Sequence, residues 1–377
     1  MVYIGFFMLF AFTSFFDFSK DSLPLKRMIW AVLTVFLLYF VGFRYYTGSD
    51  WSAYIGYFSN VSWSSSRFDV GYKLLNILCK SIYDSYYVVQ FLATLLFVLS
   101  IISFFSTYSE YKFICLFLAL SFYFTELFMA QVRQSLAVSV ILYGTRYLMQ
   151  KKWIKWILAV AVASLFHVTA AVALFAVLLH FKQTGRSRLT VCLLGLLVTM
   201  FPSAINAALW KVSTFIPGKI GELLISYLNS PTFSHGKDLS SGLYFYAQHF
   251  LYILILLFFK PQTKTEDIML NALCLVMLIT DFSVAFFVLE RLSYYFGFYT
   301  IVGWTYFFKI KWIKANKSLY FIFLMMFIIF FLSPSIKKWT ATETISELTG
   351  RPSNYQYVPY WNVFNHPDGA FRFDWCE

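Results

Sequence analysis

Apolar runs recur from one end of the chain to the other, interrupted by short basic clusters and by three longer polar stretches. A helix needs roughly 20 apolar residues to cross a bilayer. On that scale the pattern predicts spans near 2–18, 27–42, 86–106, 112–130, 132–149, 189–210, 243–260, 268–288, 292–308 and 318–334. Residues 2–16 have no basic segment before them and no small-residue cleavage site after them, so they read as a first span, not a signal peptide. The apolar stretch 153–180 is too long for one simple span. The expected fold is an all-α polytopic membrane protein with about ten to twelve transmembrane helices. Its transmembrane domain covers 1–334, with polar loops 43–85 and 211–242, and an aromatic tail follows over 335–377.

Charge adds an orientation. Basic residues concentrate on the cytoplasmic side of membrane proteins. Five short loops carry them: Lys20, Lys26 and Arg27; Lys151, Lys152 and Lys155; Lys182, Arg186 and Arg188; Lys260 and Lys264; and Lys309, Lys311, Lys314 and Lys317. All five cannot be cytoplasmic if 153–180 crosses once. They can be if it enters and returns as two half-helices turning near His167, each about 20 Å long at about 1.5 Å per residue. Irregular backbone at membrane depth is tolerated where it lines a cavity or is buried in protein. The expectation is therefore a broken hairpin that delivers His167 to an external cavity. Loops 43–85 and 211–242, both termini and the tail then face the exterior.

Composition supports the membrane reading. Of 377 residues, 60% are hydrophobic and 13% charged, against about 45–50% and about 25% in soluble domains. The net charge of +12 sits in short clusters between apolar runs, not in the continuous stripe of a nucleic-acid surface. Of the five cysteines, Cys115, Cys192 and Cys274 lie in apolar runs, and none has metal or redox spacing. Cys79 and Cys376 are the one pair with any prospect of a disulfide. There is no P-loop, dinucleotide fingerprint or metal-binding cluster, so no cofactor and no metal are expected, and a donor would be lipid-activated rather than a nucleotide sugar.

Several polar residues stand where chemistry is possible. Arg44, Gly48, Asp50, Trp51 and Tyr54 follow the second span. A guanidinium suits phosphate oxygens, the glycine permits a tight turn, and the rings can stack on sugars, although Trp and Tyr also gather at membrane interfaces for no other reason. Arg133 and Gln134 open a span; Arg133 either snorkels, pairs with Glu126 seven residues earlier, or binds substrate. Ala137 and Gly144 lie near its face and permit close helix packing. His167 is a lone histidine in an apolar segment, structural or functional. Asp281, Glu290 and Arg291 interrupt an apolar stretch, where the acids have a plain role in neutralising basic groups. Tyr360 belongs to an aromatic tail suited to cover the external mouth or to anchor at the interface.

Taken in order, these residues resemble the EpsG/Wzy-type O-antigen or exopolysaccharide polymerases. The match runs through Arg44, Gly48, Asp50, Trp51 and Tyr54, then Gly71 and Tyr72, then Arg133, Gln134 and Ala137, then Phe166 and His167, and last Arg291 with Tyr294 and Tyr295. The resemblance implies a metal-independent membrane glycosyltransferase of GT-C-like architecture in a bacterial inner membrane, its site facing the periplasm or exterior. It would move a growing glycan from undecaprenyl diphosphate to a lipid-linked repeat unit, with membrane lipids and a chain-length regulator protein as further partners and no nucleic acid. Arg44, Arg133 and Arg291 would hold diphosphate oxygens. Trp51, Tyr54, Tyr72, Gln134 and Tyr360 would line the sugar site. Arg133 would serve catalysis with His167 or Asp50, one of which would take the acceptor's proton; the sequence leaves that choice open. A lipid-linked oligosaccharide flippase and a membrane-bound acyltransferase are the rival classes. The first should show inverted repeats, of which the sequence has no convincing case, and the second should present its histidine to the cytosol.

Overall fold

A computed structural model describes residues 2–19, 22–215, 218–229, 242–285, 289–340, 357 and 360–365. Among these the chain is helical, and its only strand-like pairings are two isolated bridges, Arg44 with Asn362 and Asn362 with Asn365. The helices run in the order α1 (Val2–Thr13), α2 (Leu23–Gly42), α3 (Trp51–Ser59), α4 (Val70–Ile82), α5 (Tyr86–Tyr108), α6 (Lys112–Tyr123), α7 (Val132–Met149) and α8 (Trp153–Phe166). They continue with α9 (Gly185–Val198), α10 (Pro202–Phe215), α11 (Lys219–Asn229), α12 (Gly242–Phe258), α13 (Lys264–Ser283), α14 (Glu290–Thr305), α15 (Lys311–Ala315) and α16 (Lys317–Thr340).

By length and hydropathy alone, four described segments can cross a membrane: Leu23–Gly42, Tyr86–Tyr108, Lys112–Ala130 and Ser318–Lys337. The other apolar helices are shorter or carry more polar residues. Thirteen of the 16 residues of α14 are buried, so its surface is set by neighbouring helices rather than by lipid. The expected span 189–210 is not straight. α9 and α10 meet at 93° across 199–201, where Pro202 cannot donate into a continuing helix. The polar loops are also more ordered than their composition suggests. Loop 43–85 contains α3 and α4, residues 211–215 complete α10, and Lys219–Asn229 form α11. Cys376 and Pro359 lie outside the described residues, and Cys79, Cys115, Cys192 and Cys274 are buried free thiols.

The chain divides into two compact units, 1–171 with 321–377, and 172–320. In the first, the abundant phenylalanines form one interlocking layer. Phe6 stacks on Phe40 with ring centroids 4.4 Å apart, lies 5.0 Å from Phe124, and the layer continues from Phe97 to Phe128 at 4.9 Å. Such ring pairs add about 0.5–1.5 kcal/mol beyond the area they bury. α6 runs into a π-helical turn over Phe124–Ala130, closed by the Gln131 N–H on the Glu126 carbonyl at 2.7 Å. α7 and α8 pack closely because Gly144 has no side chain; a Cβ there would stand 2.9 Å from Ala159 Cβ.

In the second unit, α9 and α13 both begin with capping boxes, Thr184 with Ser187 and Thr263 with Glu266. Two basic residues that bear on orientation are held in ion pairs there: Arg188 is buried against Asp267 and Asn271, and Lys309 Nζ lies 3.0 Å from Glu266. Asp281 has a specific partner that its sequence context did not name. It is fully buried, with His249 Nε2 2.8 Å from its Oδ1.

Candidate functional site

Two helices of the first unit, α7 and α8, converge on Asp69 at the start of α4. Arg133, in the first turn of α7, places NH1 2.9 Å from Asp69 Oδ2. His167 ends α8 in an extended conformation, φ −156° and ψ 115°, which carries its ring out of the helix and sets Nδ1 3.7 Å from the same oxygen. A glycine makes this meeting possible. A Cβ on Gly71 would lie 2.8 Å from the Leu165 carbonyl oxygen, so the start of α4 rests on the backbone of α8's last turn. That contact holds Asp69, two residues before Gly71, beside His167, two residues after Leu165.

Aromatic rings complete the site. The Arg133 guanidinium lies over the Phe68 ring at 4.2 Å, and that of Arg67 is 5.2 Å from the same ring. Phe68 in turn packs on Tyr57 at 4.6 Å, Tyr54 at 5.6 Å and Tyr72 at 5.8 Å. Arg133 also donates to the Tyr54 hydroxyl. Burial, and then the charge of Asp50, push the Tyr54 phenol up to about 12 against the opposing pull of Arg133, so it stays a neutral hydroxyl. Burial also raises the Asp69 carboxyl, but the His167 contact and the charges of Arg133 and His167 outweigh it and leave the group below its ordinary value. Asp69 is therefore ionised at neutral pH. Several buried polar atoms in this cluster have no hydrogen-bond partner among the described residues: Arg133 Nε, His167 Nδ1, Tyr57 Oη and Trp51 Nε1. Buried polar atoms are ordinarily satisfied, so such a group of them suits a polar ligand.

A family model described as the EpsG family matches residues 27–360. The chain belongs to the EpsG family. No curated protein and no solved structure matches it. Membership suggests a polysaccharide polymerase and agrees with a multi-pass membrane protein.

Within this EpsG chain the sequence-derived candidates separate. Trp51, Tyr54 and Tyr72 are buried in one aromatic cluster with Tyr57, Tyr86 and Leu136, and Gln134 is buried in α7. Asp50 sits at the N-terminus of α3 and accepts from Ser49 Oγ at 3.3 Å. Arg44 is enclosed: it donates to the Met129 carbonyl at 3.1 Å and the Val41 carbonyl at 2.7 Å, while its own carbonyl accepts from Gln90. That geometry ties the end of α2 to the end of the π-helical turn. Gly48 joins the same tie with φ +111°; a side chain there would fall on the Met129 carbonyl. Tyr360 stacks on Phe40 at 4.3 Å and donates to the Phe40 carbonyl at 2.7 Å, so this part of the tail straps onto α2. Arg291 is half-buried at the start of α14 in the second unit. The carboxylate paired with Arg133 is Asp69, and Glu126 accepts from Gln131 Nε2 at 2.7 Å. The π-helical turn shifts the register on which a seven-residue spacing depends.

Asp69 and Arg67 were missed in the sequence. The available signal was an Asp two residues ahead of the Gly71-Tyr72 pair, at a position suited to cap a helix.

Proposed function

We propose that this chain is a glycan polymerase of a bacterial inner membrane, joining lipid-linked oligosaccharide repeats at a site that faces the exterior. The donor is a growing glycan on undecaprenyl diphosphate, and the acceptor is a single repeat on the same carrier. The observation that carries the reading is the meeting of Arg133 and His167 on one carboxylate, in a chain whose family is one of polysaccharide production.

The transfer breaks the bond between the sugar's anomeric carbon and the diphosphate, so negative charge gathers on the leaving group. Arg67 and Arg133 both stand against the Phe68 ring, with Asp69 as the carboxylate paired to Arg133. Asp50 and Asp69 balance the charge of the two guanidiniums, and the Arg133 Nε, which has no partner among the described residues, supplies a donor for an incoming anion. Fixed donors of this kind commonly contribute about 10²–10³ in rate each. The Tyr57 hydroxyl and the Trp51 indole N–H, without partners among the described residues, suit sugar hydroxyls.

The test is genetic and direct. Arg133→Ala, Asp50→Ala and His167→Ala are each placed in a strain that needs this protein for its surface polysaccharide. Loss of long-chain polymer at normal protein level, with single lipid-linked repeats accumulating on the outer face, is expected for Arg133 and His167. Persistence of long polymer in all three would overturn the site, and repeats trapped on the inner face would point to a flippase instead.

A further inference from the structure

Asp69 occupies the position that caps α4, with φ −60° and ψ 150°, yet its side chain makes no capping hydrogen bond. A capping Asp typically contributes about 1 kcal/mol. This one forgoes that and turns its carboxylate to Arg133 and His167. His167 Nδ1 is buried and has no hydrogen-bond partner among the described residues, and the Asp69 carboxylate 3.7 Å away is positioned to become one. The His167 side chain keeps 17% exposure, which lies on atoms other than the buried Nδ1. Nε2 is on the opposite edge of an imidazole from the side that faces the carboxylate. Catalytic hydrogen bonds are often long without substrate and tighten when it binds.

We infer that Asp69 is the positioning residue for His167: it accepts the Nδ1–H, fixes that tautomer, and leaves the Nε2 lone pair to take the acceptor's proton. This rests on the glycan-transfer reading above and takes His167, not Asp50, as the base. Which ring nitrogen carries the proton is set by the bond that the other one makes. In the reaction the acceptor hydroxyl gives its proton to Nε2 as its oxygen bonds to the anomeric carbon. The bond from that carbon to the diphosphate oxygen breaks, and its electron pair leaves with the lipid diphosphate, which then receives the proton from Nε2. Asp69 stays ionised throughout, held so by Arg133. The same oxygen thus couples the group that receives the proton to the group that steadies the departing charge.

The experiment uses the full chain in lipid nanodiscs, with synthetic diphosphate-linked repeats as donor and acceptor. Rates are compared for wild type, Asp69→Asn, Asp69→Glu, His167→Ala and the Asp69→Asn/His167→Ala double variant, with thermal unfolding followed in parallel. Asp69→Asn is expected to lower kcat by about 10²–10⁴, the usual worth of a correctly held general base, with little change in KM. The double variant is expected to be no slower than His167→Ala, because Asp69 acts through a ring that is gone. Asp69→Glu keeps a carboxylate for Arg133 and should keep wild-type stability while still losing kcat, since the charge moves by one methylene. Multiplying losses in the double variant, or a loss confined to KM, would show that Asp69 serves only the fold or Arg133. Full activity in His167→Ala would instead overturn the general-base role in the proposed function, whatever Asp69 does.

Discussion

Gly71→Ala isolates the contact on which the site depends. The added methyl would stand 2.8 Å from the Leu165 carbonyl oxygen, 3.0 Å from its carbon and 3.1 Å from Leu165 Cβ, where ordinary contact begins at 3.4 Å. Two of these three atoms are backbone, so a side-chain rotation cannot relieve the clash. α4 must move off α8 by about 0.6 Å, the difference between 3.4 and 2.8 Å. Overpacking of this kind costs about 1–3 kcal/mol, partly offset by about 1 kcal/mol because alanine is the better helix former. The loss of stability should therefore be small, about 0–2 kcal/mol, while the loss of function is larger. The shift opens the 3.7 Å gap between His167 and Asp69, and misplacement by about 1 Å can cost 10²-fold. Gly56→Ala is the control, since a Cβ there meets nothing within 4 Å. The assay is polymer length on a gel beside thermal unfolding of the purified variants. Wild-type polymer length in Gly71→Ala, with an unchanged unfolding temperature, would refute the claim that this close approach builds the site.

Other outcomes follow from the same geometry. Asp69 has a lowered folded-state value, so its contribution to stability is present above its unfolded value of about 3.9 and is lost as pH falls through the lower folded one. Unfolding temperature against pH should show that acid limb, and Asp69→Asn should flatten it. His249→Phe strands the buried Asp281 carboxylate, which should cost about 3–5 kcal/mol, while the His249→Phe/Asp281→Leu double variant should recover most of it; equal instability of the two would show that the pair is not the reason. Gly48→Ala combines a left-handed φ with a clash on the Met129 carbonyl and should reduce the amount of folded protein in the membrane, whereas Arg44→Lys should keep the charge but lose the two-carbonyl grip and lower the unfolding temperature.

The sequence displayed what depends on long-range averages and concealed what depends on register. Apolar runs marked α2, α5 and α16 because a lipid-facing helix must be apolar over its whole length. His167 was reached through the conflict of loop charges, and it stands at a break between α8 and a 3₁₀-helical segment, Val168–His180. The bend before α10 went unseen although Pro202 was there to read, because the apolar run continues through it. The π-helical turn at Phe124–Ala130 left no compositional trace, and with it went the correct partner of Arg133. α3 and α4 were hidden because short helices packed on their neighbours need little propensity of their own.

The motif residues divide by the work that their surroundings allow. Arg44 and Gly48 meet at one carbonyl, that of Met129, and their geometry is spent on the backbone. Arg133 reaches a carboxylate and a ring, and its buried Nε has no partner among the described residues. Both arginines look alike as positive charges at the end of a span, and only the partners tell them apart. An arginine gripped by two main-chain carbonyls has fewer donors left for a diphosphate, while one paired with a carboxylate that also faces a histidine stands where the proposed transfer needs it. It follows that Arg133→Lys, which keeps the charge but loses the fork and the Nε donor, should fail in polymerisation while the protein stays folded, whereas Arg44→Lys should fail first in folding.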